Sequence, residues 1–315
     1  MIAFLFPGQG SQSIGMGRDV YDAFRCARDV YQEVDEVLKQ NLTKIIFEGP
    51  ESDLILTENA QPSLMTVSMA LMRVLEKEGG LPLSQAASYV AGHSLGQYTA
   101  LCAAGSLSLT DTARLLKIRG QAMQRAVPIG EGAMAAIIGL EMTVIERIVE
   151  EAALGQVCEI ANDNSPGQVV ISGHLEAIER AIELSKEYGA KRSILLNVSA
   201  PFHCALMQPA QERMEEAFQE VTVSDPCLPV IDNISATTVD KGDALKALLI
   251  RQVTGRVRWR ESIEVMAKLG VTTAVEVGAG KVLTGLSKRI VPTLNAIALN
   301  TPYDIESYLM KPLAA

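Results

Sequence analysis

Histidine is scarce in this chain: its 315 residues include only three, His93, His174 and His203. Any reaction that needs an imidazole base must draw on one of them. Basic residues are outnumbered too, with 28 Lys and Arg against 37 Asp and Glu and a formal net charge of −9. That balance excludes a nucleic-acid binder, which relies on clustered Lys and Arg against phosphate. Cysteine is sparse and unpatterned. Cys26, Cys102, Cys158, Cys204 and Cys227 are odd in number, scattered and without metal-ligand spacing. This excludes a disulfide framework or a zinc site and fits a reducing cytoplasm. No metal or cofactor is called for. The apolar start, Met1 to Pro7, is too short for a signal peptide and lacks a basic lead-in, so it reads as a first buried strand. Asp, Glu, Lys and Arg are all absent from Gly79 to Thr110, a length that could cross a membrane. Pro82, His93, Gln97 and several Ser and Gly interrupt it, so a strand, a turn and a helix account for it better and no membrane contact is expected. Internal repeats and low-complexity tracts are absent as well.

Hydrophobic residues make up 48% of the chain, enough for one large core, or for a core with a smaller satellite. Short β-rich apolar segments, Ala87 to Ala91, Val230 to Ile234 and Thr273 to Val277, are each followed by turn residues and helical patterns. That alternation implies an α/β fold with a mostly parallel sheet covered by helices. The stretch from Gly132 to Val198 behaves differently. It reads strand (Ala133 to Leu140), helix (Thr143 to Ala153), strand (Val157 to Ala161), turn (Asn164 to Gly167), strand (Gln168 to Ser172), helix (Leu175 to Tyr188), strand (Arg192 to Val198). This is the βαββαβ order of a ferredoxin-like unit. The expected division is residues 1–127 with 199–315 for the larger domain and 128–198 for the insert.

The strongest local signal is Gly92-His93-Ser94-Leu95-Gly96, after the strand Ala87 to Ala91 and before the helical pattern Gln97 to Ala104. A Gly-x-Ser-x-Gly elbow needs this strand-turn-helix context, because its glycines allow a tight turn that pushes the serine hydroxyl out of the sheet. Ser94 then sits at a helix N-terminus, where developing negative charge is favoured, and the Leu95 N–H becomes a natural oxyanion-hole donor. The plainer alternative is a Gly-Ser turn that merely starts a helix. Elimination selects the base. Strand alternation turns His93 away from its neighbour Ser94, and His174 opens a helix as a capping or surface residue. His203, just past the insert, remains. Between Ser94 and His203 only Asp163 is a candidate third triad member, and it falls in the insert. A Ser–His dyad oriented by a backbone carbonyl is the better reading.

Arg119 stands where a leucine is expected. On a helix over Asp111 to Val127, capped by Thr110 or Asp111, a wheel puts Leu115, Leu116, Ala122, Met123 and Ala126 within about 60° of it. A guanidinium facing the interior is costly unless it is paired or lines a cavity. Two readings follow: a structural pair with a buried acid, or a bidentate clamp for a substrate carboxylate.

Taken together, these residues resemble the malonyl-CoA:acyl carrier protein transacylases of fatty acid synthesis, over essentially the whole chain. The resemblance is carried by Phe6-Pro7-Gly8-Gln9-Gly10-Ser11-Gln12, Gln61-Pro62, Gly92 to Gly96, Arg119-Gly120, Asn164-Ser165-Pro166-Gly167-Gln168, Pro201-Phe202-His203, Gln252 and Glu276 to Gly285. It implies an α/β-hydrolase-like domain with a ferredoxin-like insert, and the partners malonyl-CoA and acyl carrier protein. It further implies that Ser94 is acylated, that His203 is the base and that Arg119 binds the malonyl carboxylate. By the same resemblance Gln9 joins Leu95 in the oxyanion hole, the Gln252 carbonyl orients His203, and Gln61 lines the pocket. Two positions depart from the family pattern. Gln97 stands where Glu is usual, removing a charge near the site, and Ala279 stands where Pro is common.

Three competing functions remain. A serine hydrolase suits the elbow but neither the missing acid nor Arg119. A transacylase subunit of a multisubunit malonate-using enzyme would share the chemistry with a different carrier. A non-catalytic binder has no use for Ser94, His203 and Arg119 together. An acidic carrier calls for a basic rim, for which Lys191-Arg192 and Lys288-Arg289 are candidates.

Overall fold

A computed structural model describes residues 1–310. Along the chain the strands are β1 (Ile2–Phe6), β2 (Tyr89–Gly92), β3 (Gly132–Ile138), β4 (Cys158–Ser165), β5 (Gln168–His174), β6 (Arg192–Leu195), β7 (Val230–Ile231), β8 (Thr238–Val239), β9 (Thr273–Val277) and β10 (Asn295–Leu299). They form two sheets. The larger has the order β10-β9-β1-β2-β7-β8 and is parallel except for β8, which pairs antiparallel with β7.

Strands in a parallel sheet covered on both faces are apolar on both sides, and β1 shows why. Phe4 and Phe6 join one core cluster beneath the helices Thr57–Lys77, Leu95–Ala103 and Leu109–Arg125, while Ala3 and Leu5 join another with Trp259, Ile263 and Leu286. The same period of two organises the smaller sheet. Its order is β4-β5-β3-β6, antiparallel throughout. Ala133, Ala135 and Ile137 of β3 pack against the helices Met142–Ala153 and Leu175–Glu187, which leaves Met134 and Ala136 on the opposite face to line a cavity. The β4 strand is also tied to the larger unit, because Val257 N–H donates to the Ala161 carbonyl at 2.8 Å and Asp163 N–H to the Val257 carbonyl at 2.9 Å.

The charge-free stretch resolves as expected into β2 followed by a helix, and no helix among the described residues is long and apolar enough to cross a membrane. Several boundaries move. The strand expected over Val230 to Ile234 ends at Ile231, because the Asp232 carboxylate accepts the backbone N–H groups of Ile234 and Ser235 and bends the chain. Strand β4 runs on to Ser165 instead of stopping at Ala161, through two register shifts. Strand β6 stops at Leu195, after which residues 196–199 turn to line the cavity. The Arg119 helix starts at Leu109 because Ser108 is the cap, its hydroxyl accepting the Asp111 N–H at 2.9 Å.

Candidate active site

The elbow forms where β2 ends beside β1. Gly92 and Gly96 allow it: a Cβ on Gly92 would run into the Gly96 carbonyl, and one on Gly96 into the carbonyl of Phe6. Strand and helix therefore approach more closely than any side chain permits. Ser94 itself has φ 53° and ψ −112°, a conformation that L-residues rarely adopt. Asn233, at the end of β7, braces it from both sides, with its Oδ1 accepting the Ser94 N–H at 2.8 Å and its Nδ2 donating to the Gly92 carbonyl at 2.8 Å.

Ser94 Oγ lies 2.7 Å from His203 Nε2. His203 Nδ1 lies 2.9 Å from the Gln252 carbonyl oxygen and 3.1 Å from that of Gly255. Two carbonyls can only accept, so Nδ1 carries the proton and Nε2 is left to accept from the serine. Burial, and after it the charge of Arg119, push the imidazole pKa down to about 3. His203 is thus held neutral, at a φ of 59°.

Arg119 is buried at 1% exposure, with Leu115, Leu116 and Met123 of its own helix. Its Nη2 donates to Ser94 Oγ at 3.0 Å and to Gln252 Oε1 at 3.1 Å, and its Nη1 donates to Gln61 Oε1 at 2.8 Å. Its Nε finds no partner among the described residues. Nor does a buried acid pair with it there: neutral amides and the serine hold the guanidinium instead, and it looks into a cavity of about 540 Å³. Ser94, His203, Arg119, Gln61, Leu95 and Gln9 all line that cavity. A shallower groove of about 850 Å³ along the helices Met142–Ala153 and Leu175–Glu187 is half lined by glutamates and contains none of these residues.

The remaining candidates sort cleanly. His93 is half-buried on the cavity wall, its pKa lowered by desolvation, and its Nε2 meets Asn164 Oδ1 of β4 at 2.8 Å. His174 stands at the N-cap position of its helix but caps nothing there; its Nδ1 accepts the Val157 N–H at 2.9 Å. Asp163 is bound at 2.8 Å by Arg260, which accounts for it without any part in a triad. Lys191, Arg192, Lys288 and Arg289 are exposed. Among them Arg289 reaches the cavity rim, donating at 2.8 Å to Gln168, which lines it.

The model of the acyl transferase domain family matches residues 3–296. This chain belongs to that family. The malonyl CoA-acyl carrier protein transacylase of Escherichia coli strain K12 is 47% identical over 300 residues, 95% of this chain and 96% of that protein. Among solved structures, the acyl-carrier-protein-S-malonyltransferase of Bartonella henselae superposes with a TM-score of 0.96 at 54% identity, each chain 98% covered. A malonyl-transacylase in complex with a type II PKS acyl-carrier protein superposes with a TM-score of 0.94 at 42% identity, again with 98% of each chain covered.

Within this family member, sequence reasoning missed Asn233 and Asp232. Asn233 holds the elbow from the neighbouring strand, Asp232 holds Gln97 just after it, and no local pattern around them signals either role. The only cue is that two short polar residues end an apolar strand.

Proposed function

We propose that this chain transfers the malonyl group of malonyl-CoA to the phosphopantetheine thiol of an acyl carrier protein through a malonyl-serine intermediate. The observation that carries the reading is a buried guanidinium held by neutral groups, 3.0 Å from a serine that also meets a neutral imidazole. Ser94 attacks the thioester carbonyl and its proton passes to His203 Nε2. The carbonyl oxygen gains negative charge, which we assign to the N–H groups of Leu95 and Gln9. Collapse expels the coenzyme A sulfur, which takes the proton from His203. The carrier thiol then repeats the sequence in reverse, giving its proton to His203 and freeing Ser94. Gln252 orients the base through its backbone carbonyl, Gln61 steadies Arg119, and Arg119 holds the malonyl carboxylate. None of these steps calls on a metal or cofactor.

We read the larger unit, residues 1–127 and 199–310, as α/β-hydrolase-like, the expected end of that unit at 315 lying outside the described residues, and residues 128–198 as a ferredoxin-like insert whose free sheet face roofs the pocket. The parallel sheet ending in a nucleophile elbow supports the first description, and the β4-β5-β3-β6 order the second. The reaction belongs in the cytoplasm, in keeping with five free cysteines. An acidic carrier would approach over Arg289, beside the rim residue Gln168.

Incubation with radiolabelled malonyl-CoA tests the reading. The protein is expected to retain label through a denaturing gel and to lose it when carrier is added. Prompt release of free malonate would instead identify a hydrolase, and no label at all a binder. Acylation is also expected to hold its rate as pH falls from 8 past 6.5. With the pKa pushed down to about 3, His203 stays in its basic, neutral form across that whole range. An acid limb centred near 6.5 in the single-turnover acylation rate would show that the imidazole is not held neutral.

A further inference from the structure

Arg119 and His203 both end on Gln252, and Gln252 does not set its own orientation. Its Oε1 accepts from Arg119 at 3.1 Å, its backbone carbonyl receives His203 Nδ1 at 2.9 Å, and its Nε2 donates to Gln97 Oε1 at 2.9 Å. Gln97 is fully buried. Its Oε1 also accepts the Asn233 N–H at 3.1 Å, and its Nε2 donates to Asp232 Oδ2 at 2.8 Å. Asp232 is fully buried too, and its Oδ1 accepts from Ile234 N, Ser235 N and Ser235 Oγ at 2.7–2.9 Å.

A carboxylate only accepts hydrogen bonds, whereas a carboxamide has one accepting and one donating end. Asp232 therefore forces Gln97 to present its NH₂ inward and its oxygen outward. That oxygen is the nearest of three acceptors around Gln252 Nε2, with Asn233 Oδ1 and the Ser94 carbonyl each at 3.2 Å, and together they turn the Gln252 oxygen toward the guanidinium. We propose that Asp232 is the positioning anion of this active site, acting through Gln97 and the Gln252 side chain to orient Arg119. Asp232 thereby supplies the buried cation with a countercharge that reaches it through the two amides.

The relay makes a charge-swap prediction. Gln97→Glu would set two carboxylates 2.8 Å apart, and the acylation rate is expected to fall at least about tenfold. Asp232→Asn has no good orientation. One places its NH₂ against the donors at residues 234 and 235, the other against the NH₂ of Gln97, and a similar loss is expected. The double variant Gln97→Glu/Asp232→Asn restores the polarity throughout. Its new carboxamide would keep an oxygen on the 234–235 turn and donate to the new carboxylate, whose other oxygen accepts from Gln252. It is expected to recover to within about threefold of wild type, a strong positive coupling.

Three quantities decide the question: single-turnover acylation by malonyl-CoA, the ratio of kcat/KM for malonyl-CoA over acetyl-CoA, and the midpoint of thermal unfolding. Each single variant should lower the selectivity ratio, and the double should restore it, whereas a merely structural role would slow both substrates equally. Single variants as active as wild type, or a double variant no better than the product of the singles, would overturn the proposal. If the singles do not fold, the double decides alone: a folded, active double supports the relay and an unfolded one refutes it. The selectivity readout rests on Arg119 binding malonyl. If wild type shows no malonyl preference, that reading fails, while coupling in acylation and in the unfolding midpoint still decides the relay.

Discussion

Ser94→Ala is expected to abolish the malonyl-enzyme while leaving the protein folded. The hydroxyl meets the imidazole and the guanidinium at once, at 2.7 and 3.0 Å. Its loss removes the atom that would carry the acyl group. Residues acting as one catalytic unit fail together, so the loss in turnover should be on the order of 10⁶. The elbow itself should survive, since Asn233 grips the Ser94 N–H and the Gly92 carbonyl, neither of which depends on the side chain. Intact mass after incubation with malonyl-CoA is the measurement. A variant that still gains a stable malonyl adduct would remove Ser94 from the mechanism.

Arg119→Ala should separate the substrates. A buried, charge-assisted contact to a carboxylate accounts for about 2–5 kcal/mol, so malonyl transfer is expected to fall roughly 30-fold to several thousand-fold. Acetyl transfer should fall far less or rise, because in wild type an acetyl group leaves the guanidinium desolvated and short of a partner. Arg119→Lys should recover only part of the malonyl activity, since an ammonium is a point charge without the two-pronged geometry. The test is the kcat/KM ratio of malonyl-CoA to acetyl-CoA in wild type and variants, once circular dichroism has established that each is folded. An equal loss on both substrates would make Arg119 a structural residue or a coenzyme contact.

How far the site can be read from sequence depends on the range of the interactions that build it. Ser94 announces itself because the elbow is local, five residues whose glycines have a steric reason. Arg119 announces itself because one charge breaks a helical stripe. His203 follows only because histidines are so few. Gln9, Gln61 and Gln252 carry no intrinsic signal, and only the family resemblance singles them out. Asp232 and Asn233 escape both routes: their partners Gln97 and Ser94 lie 135 and 139 residues away in sequence, and nothing but the folded sheet brings them together. The same holds for the boundaries. Thr110 and Asp111 are as good a cap as Ser108 by residue type, and the choice rests on the Ser108 hydroxyl receiving the Asp111 N–H. The expected strand at Val230 to Ile234 is cut short by a side-chain-to-backbone bond that an apolar pattern does not register.

Both members of the proposed dyad sit at positive φ, 53° at Ser94 and 59° at His203, without being glycine. Each such residue costs on the order of 1–3 kcal/mol, and it persists only where its surroundings over-determine it. In this molecule the surroundings are Asn233 on one side and the carbonyls of Gln252 and Gly255 on the other. Relaxing either backbone would remove a local cost to stability, but it would also move the hydroxyl or the imidazole off the 2.7 Å contact between them.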